Sequence, residues 1–219
     1  MGEAHLTAPL AEEDVRRLRV GDWVYLSGTI FGLRDTTLMR IFDKGVAPPV
    51  DLRGAVLLHT APNVRKVGDR YEALSVGTTT SARMDRFTGG LLRQYGVRAI
   101  IGKGGLLAGS VDAMREHGGV YLSIVGGAAA WETTHIEAIE AVHWEDLMPE
   151  CLWQFRFRDL GPLLVSIDSH GESAYARIAQ EARARLSGLT GAPGGVAGAP
   201  PGEPPGGAGE PGGGRSDGR

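Results

Sequence analysis

The chain has 219 residues, a formal net charge of −3 and one cysteine, Cys151. That charge excludes bulk electrostatic binding to nucleic acid, which needs a strongly basic face. One thiol excludes an internal disulfide and a self-held iron–sulfur cluster, because such clusters take three or four thiolates. No apolar run reaches the length of a membrane span, and Met1 to Pro9 lacks the basic-then-apolar layout of a secretory signal, so a cytoplasmic setting is expected.

In chain order, residues 11–18 carry helix formers, and Trp23 to Ile30 is rich in strand formers. A helix is predicted from Asp35 to Lys44, where Pro48 and Pro49 prevent continuation. Ala55 to His59 reads as a buried strand and Asn63 to Tyr71 as a charged surface hairpin. Ser81 to Gly96 is predicted helical with Gly96 as its stop, followed by a short buried strand, Val97 to Ile101. A helix over Val111 to His117, a strand over Val120 to Val125 and a run from Ala128 to Thr133 come next. Strands at Ile136 to His143 and Leu163 to Ile167 and a helix from Ser173 to Leu186 complete an alternating α/β pattern. Cys151, among apolar and aromatic neighbours, is expected to be a buried packing residue.

Residues 191–219 contain 12 Gly and 6 Pro, with Val196 the one larger apolar side chain. Such a composition cannot bury enough apolar surface to offset its ordering entropy. The expected organisation is therefore a domain over 1–188 and a disordered Gly/Pro-rich tail over 189–219.

Polar clusters flanked by glycine stand at predicted strand ends, where α/β sheets usually place ligands. They are Ser27-Gly28-Thr29 with Arg34-Asp35, the run Gly77 to Asp85, and Gly102-Lys103-Gly104-Gly105; a fourth, Gly126-Gly127, has no charged member. Four hydroxyl residues, Thr78 to Ser81, precede a predicted helix, so a capped N-terminus attractive to anions is expected. Thr79 and Arg83 are four apart and share a face if the helix begins early enough. A guanidinium beside a hydroxyl suits a carboxylate. Lys103 has small neighbours that let a ligand approach, and the spacing of a phosphate-binding P-loop is missing. Arg34, Arg83 and Lys103 together would match an anion with two carboxylates. A capped helix with a solvated arginine, plus an exposed turn lysine, accounts for the same residues. The six histidines show no zinc-type spacing, and Asp168-Ser169-His170-Gly171 reads as a turn.

These motifs, with Gly126-Gly127-Ala128-Ala129-Ala130, Trp144-Glu145-Asp146-Leu147 and Val165-Ser166-Ile167-Asp168, occur in an order and spacing that carry a resemblance. From about Leu6 to Leu186 the chain resembles the β subunit of class I iron–sulfur fumarate hydratases and L(+)-tartrate dehydratases. The resemblance implies a swivelling β/β/α domain and a reversible hydration or dehydration of a small dicarboxylic acid. Fumarate to malate comes first among the implied reactions and L-tartrate to oxaloacetate next. It further implies an α subunit, joined as a heterodimer or a dimer of heterodimers, whose three cysteines hold a 4Fe–4S cluster with one iron open to substrate. No metal ligand is implied in this chain. Thr79 matches the threonine proposed as catalytic base, and Arg34, Arg83 and Lys103 match residues that hold the substrate carboxylates. Two positions depart from the pattern. Thr78 stands where proline is usual, and Leu38 lies where histidine is common, so loss of a polar group beside the substrate is expected. A noncatalytic anion-binding or regulatory module of the same descent is the competing reading.

Overall fold

Short apolar runs with one buried residue after another produce strands covered on both faces. The computed structural model describes residues 1–190. Its strands are β1 (Glu3–Ala8), β2 (Trp23–Leu33), β3 (Val56–His59), β4 (Asn63–Val67), β5 (Arg70–Ser75), β6 (Ala99–Gly102), β7 (Val120–Ser123), β8 (Ile136–His143) and β9 (Leu152–Ile167). Its helices are α1 (Glu12–Arg16), α2 (Asp35–Phe42), α3 (Asp85–Tyr95), α4 (Ala108–His117), α5 (Ala129–Thr134) and α6 (Ala174–Thr190).

Seven strands form one sheet in the order β1-β2-β3-β6-β7-β9-β8. The first five pair in parallel, and β9 runs antiparallel to β7 and β8. β9 also pairs with β2, from Trp23↔Leu164 to Gly32↔Trp153, which curls the sheet into a barrel-like ring of β2, β3, β6, β7 and β9. β4 and β5 form a separate hairpin.

Alternation along the strands divides the interior in two. Val56, Leu58, Ile101, Leu122, Val165, Trp153 and Phe155 belong to one apolar cluster. Leu57, Ile100 and Tyr121, the residues between them, pack with Leu38, Phe87 and Leu91 of α2 and α3 in the other. Each fully buried Leu, Ile, Val or Phe contributes about 1.5–3 kcal/mol, so the ring and its helical cover are stabilised together.

The mixed α/β class matches the expectation, as do nearly all element positions. Gly96 ends α3 in the left-handed conformation, with φ +65°. Three features differ. The helix expected from Ser81 starts as a 3-10 turn over Ser81–Met84. β1 was not read, because its alternation rests on Ala4, Leu6 and Ala8, two of them small. β9 begins at Leu152, eleven residues before the expected strand, since Arg156, Arg158 and Asp159 obscure its alternation.

Met1–Gln180 form one compact unit; Glu181 opens a second, whose described part is the end of α6. The tail expected from 189 lies, beyond its first two residues, outside the described residues. Among the described residues no helix is long and apolar enough to cross a membrane.

Candidate functional site

Arg34 stands between the end of β2 at Leu33 and α2, whose first residue is Asp35. Its Nε donates to Asp35 Oδ2 at 3.0 Å and lies 3.2 Å from Glu150 Oε1. Arg83 grips the same Asp35, through Nε to Oδ1 at 3.3 Å and Nη2 to Oδ2 at 3.1 Å. Nη2 also donates to Thr79 Oγ1 at 3.3 Å. Burial works to raise the Asp35 pKa, but Arg83 and Arg34 outweigh it and hold the carboxyl below its ordinary value. Asp35 thus ties two guanidinium groups and the Thr79 hydroxyl into one cluster. The two terminal nitrogens of Arg34 make no hydrogen bond among the described residues, so that arginine keeps donors for a ligand.

The Thr79 segment is held by strand-like pairing rather than by helix capping. Thr78 bridges Thr60 and Thr80 bridges Lys103. The Thr79 N–H donates to His59 O at 2.8 Å and the Ser81 N–H to Lys103 O at 3.0 Å. Thr80, at the helix start, makes no side-chain cap. The expected side-chain cap is therefore corrected: carbonyls at the ends of central strands occupy the N–H groups of Thr79 and Ser81. Thr79 and Arg83 meet nonetheless.

A buried network lies behind this segment. Ser81 Oγ sits 2.9 Å from both His59 Nδ1 and the Tyr121 hydroxyl, and that hydroxyl donates to Gly104 O at 3.0 Å. Burial pushes the His59 pKa down to about 4, against the pull of Asp35, so the imidazole is neutral. A Cβ on Gly102 would come within 1.9 Å of Ser81 Oγ and 2.7 Å of the Tyr121 oxygen, so only glycine permits the network.

Lys103, just after β6, is half-buried, and its side chain has neither hydrogen bond nor ion pair among the described residues. It joins Thr79 and Thr80 through backbone pairing and runs past Gly126, where an added Cβ would lie 3.6 Å from Lys103 Cδ. Facing it from α5 is Glu132, 1% exposed, with neither carboxylate oxygen hydrogen-bonded. Burial raises the Glu132 pKa to about 7, although Lys103 and the nearby Thr78 N–H favour its ionised form. That N–H faces the carboxyl without reaching hydrogen-bonding geometry.

The sign of the resulting pH effect follows from linkage. Folded Glu132 holds its proton more tightly than the unfolded chain, whose value is near 4.5. The corresponding stability is complete below that value and is lost as pH rises through about 7. Glu132→Gln is expected to flatten this decline in melting temperature between about pH 5 and pH 8. An unchanged slope in thermal melts would contradict the buried-acid assignment.

Of the four residues picked out in the sequence, Arg34, Thr79 and Arg83 form one contact chain, and Lys103 adjoins it through the backbone. The expectation for Leu38 is corrected. Leu38 is fully buried on the inner side of α2, in the cluster with Leu33, Leu57 and Met84, so it leaves no polar gap at the site. Leu38→His is expected to cost about 2–4 kcal/mol, by lost packing and burial of an imidazole. An unchanged melting temperature would show that position 38 is not core.

Sequence reading missed Glu150 and Glu132. Glu150 Oε2 accepts the Thr36 N–H at 2.8 Å and its hydroxyl at 2.5 Å, which fixes the carboxylate beside Arg34. Glu132 is a lone charge in the run Ala128 to Thr133, and that isolation was the available signal. The Gly126-Gly127 cluster does bring a charged group, through the helix that follows it.

As for a metal centre, no three His, Cys, Asp or Glu side chains among the described residues lie together as ligands. Cys151 is buried, as expected, and burial pushes its thiol up to about 11, which keeps it protonated. These residues do not fit an iron–sulfur cluster.

Comparison with known proteins connects this geometry to a family. The Fumarase C-terminus family model matches residues 2–178. The chain is 41% identical over 172 residues to L(+)-tartrate dehydratase subunit beta of Escherichia coli (strain K12), covering 78% of this chain and 86% of that one. A Methanocaldococcus jannaschii protein provisionally named as L(+)-tartrate dehydratase subunit beta is 34% identical over 187 residues, covering 83% and 96%. A Geobacillus stearothermophilus protein provisionally named as class I fumarate hydratase is 38% identical over 184 residues, which span 83% of this chain and 35% of that longer one. With its cationic cluster at the strand ends and matches of this extent, the chain belongs to the fumarase C-terminus family, as a β-subunit-type member of the class I fumarate hydratase and tartrate dehydratase hydro-lyases.

Proposed function

We propose that this chain is the β subunit of a cytoplasmic hydro-lyase that adds water to, or removes it from, a four-carbon dicarboxylic acid. The observation that carries the reading is the Arg34–Asp35–Arg83–Thr79 contact chain beside the unpaired Lys103. In it, Arg34 and Lys103 bind the substrate carboxylates, and Arg83 orients Thr79. Thr79 Oγ1 moves the proton on the carbon next to the departing hydroxyl. A threonine hydroxyl is a weak base, and the Arg83 guanidinium 3.3 Å away favours its deprotonated form. Charge that builds on the neighbouring carboxylate is met by preorganised donors, each commonly worth about 3–4 kcal/mol.

The reading assigns the 4Fe–4S cluster to an α subunit, in keeping with the donor set described above. When bound there, its open iron supplies Lewis acidity toward the hydroxyl that leaves as water. The swivelling β/β/α description and a domain over 1–188 belong to the same reading. A docking face for the α subunit is supported by exposed large apolar residues, among them Leu74 on β5, Val125 after β7 and Trp131 on α5.

We rank the candidate substrates by the relatives the chain resembles. L(+)-tartrate comes first, on the matches that span nearly the whole length of the tartrate dehydratase β subunits. Fumarate and malate come second, on the Geobacillus relative. The test is anaerobic co-expression with the α subunit, reconstitution of the cluster, and absorbance assays on tartrate, malate and fumarate. Turnover of one of them supports the reading; a reconstituted complex inert toward all three leaves the noncatalytic binding module.

A further inference from the structure

α5 packs directly beneath the segment that bears Thr79. The Val76 N–H donates to Thr133 Oγ1 at 2.7 Å, and a Cβ on Gly77 would meet Ala129 Cβ at 2.7 Å. That close approach brings the α5 residue Glu132 near the Thr78 N–H and Lys103, the two groups that favour its ionised form. A carboxyl group with 1% exposure and two unpartnered oxygens is costly unless it has a use or a proton.

Most charged groups on the neighbouring elements are engaged elsewhere; the side chains of Arg70 on β5 and His143 on β8 have no hydrogen bond or ion pair among the described residues, and neither acts on Glu132. On β5, Glu72 pairs with Arg65, and Tyr71 bonds Glu145. On β8, Glu137 pairs with Arg158 and Glu140 with Arg156. At the end of α5, His135 bonds the Arg158 carbonyl at 3.0 Å and stacks edge-on with Trp131. Lys103 is the charge that acts on Glu132, through space and without an ion pair.

On the reading that this site binds a dicarboxylate, we propose that Glu132 is a positioning residue acting through Lys103: its carboxylate balances the ammonium in the free protein and takes a proton from solvent when a dicarboxylate engages Lys103. The charge count at the site gives the reason. Arg34, Arg83 and Lys103 stand against Asp35 and Glu150, so ionised Glu132 cancels the remaining positive charge, and protonated Glu132 leaves it for the ligand. Neutralising Glu132 also removes a negative charge from behind the ligand's carboxylate. Binding and proton uptake are thereby linked at near-neutral pH.

The experiment is calorimetric titration of the anaerobic, cluster-loaded α/β complex with succinate, a four-carbon dicarboxylate with no hydroxyl to lose. Titrations near pH 7.5 in buffers of different ionisation heat give the protons taken up. Wild-type complex is expected to take up roughly half a proton or more per site, and its succinate affinity to fall several-fold from about pH 6 to pH 8.5. Glu132→Gln should abolish the uptake attributable to this residue and flatten that dependence, and Glu132→Asp should restore part of both. Equal uptake in wild type and Glu132→Gln overturns the inference and leaves the proposed function standing. Where Glu132→Gln does not assemble, pH-independent binding to wild type overturns it equally. Absence of succinate binding to wild type overturns the dicarboxylate reading, and the inference falls with it.

Discussion

Replacing Thr79 with alanine is expected to lower turnover of the assembled α/β enzyme by about 10²- to 10⁴-fold, the usual contribution of a positioned proton-transfer group. Assembly should survive, because the bonds that place residue 79 are made by its backbone. The N–H to His59 O and the pairing of residues 78 and 80 with Thr60 and Lys103 do not use the Thr79 side chain. Arg83 loses one acceptor and keeps two contacts to Asp35. Thr79→Ser retains the hydroxyl and should retain most activity. Steady-state kinetics at matched cluster content are the check. A Thr79→Ala complex that turns over near the wild-type rate would show that the proton moves through another group.

Trp153→Ala is expected to be the most damaging of the core truncations, at about 3–5 kcal/mol. Trp153 is fully buried on β9, opposite Gly32 of β2, where the barrel-like ring closes. Its ring stacks on Phe155 at 6.0 Å and meets Tyr71 edge-on at 5.6 Å. Its Nε1 donates to Pro149 O at 2.9 Å, which anchors the segment carrying Glu150 and Cys151. Removing the indole opens a cavity and also frees the loop that holds Glu150 beside Arg34. A melting point lowered by roughly 10 °C or more is the expected readout. A shift of only a degree or two would mean that β9 does not depend on this residue to close the ring.

These two predictions rest on parts of the chain that differed in legibility. Thr79, Arg83 and Lys103 were legible as glycine-flanked polar residues at strand ends, but a cap, a solvated arginine and a turn lysine explained them equally well until the motifs were read together. Helices α2, α3 and α4 were plain, since each has apolar spacing and α3 and α4 stop at a glycine. The continuation of β9 through Trp153 was harder to see. Phe155 and Phe157 point inward and Arg156 and Arg158 outward, so the period of two is present, but flanking charges made the stretch resemble a loop. The proposed substrate order leans on the named relatives, whereas the resemblance read from the motifs placed fumarate ahead of tartrate.

Local chemistry was enough to establish the α/β class, the strand-end clusters and the lack of thiols for a cluster held by this chain, because these depend on residue type and near neighbours. Long-range contacts decided the rest. Closure of the sheet through β2 and β9 brings Glu150 to Arg34, 116 positions earlier in the chain. The inward face of α2 turns Leu38 from an apparent substrate neighbour into core, and packing of α5 under the Thr79 segment converts Glu132 into a buried acid. Burial and charge pairing between distant segments set a side chain's ionisation and reach, and neither quantity exists until the chain has folded.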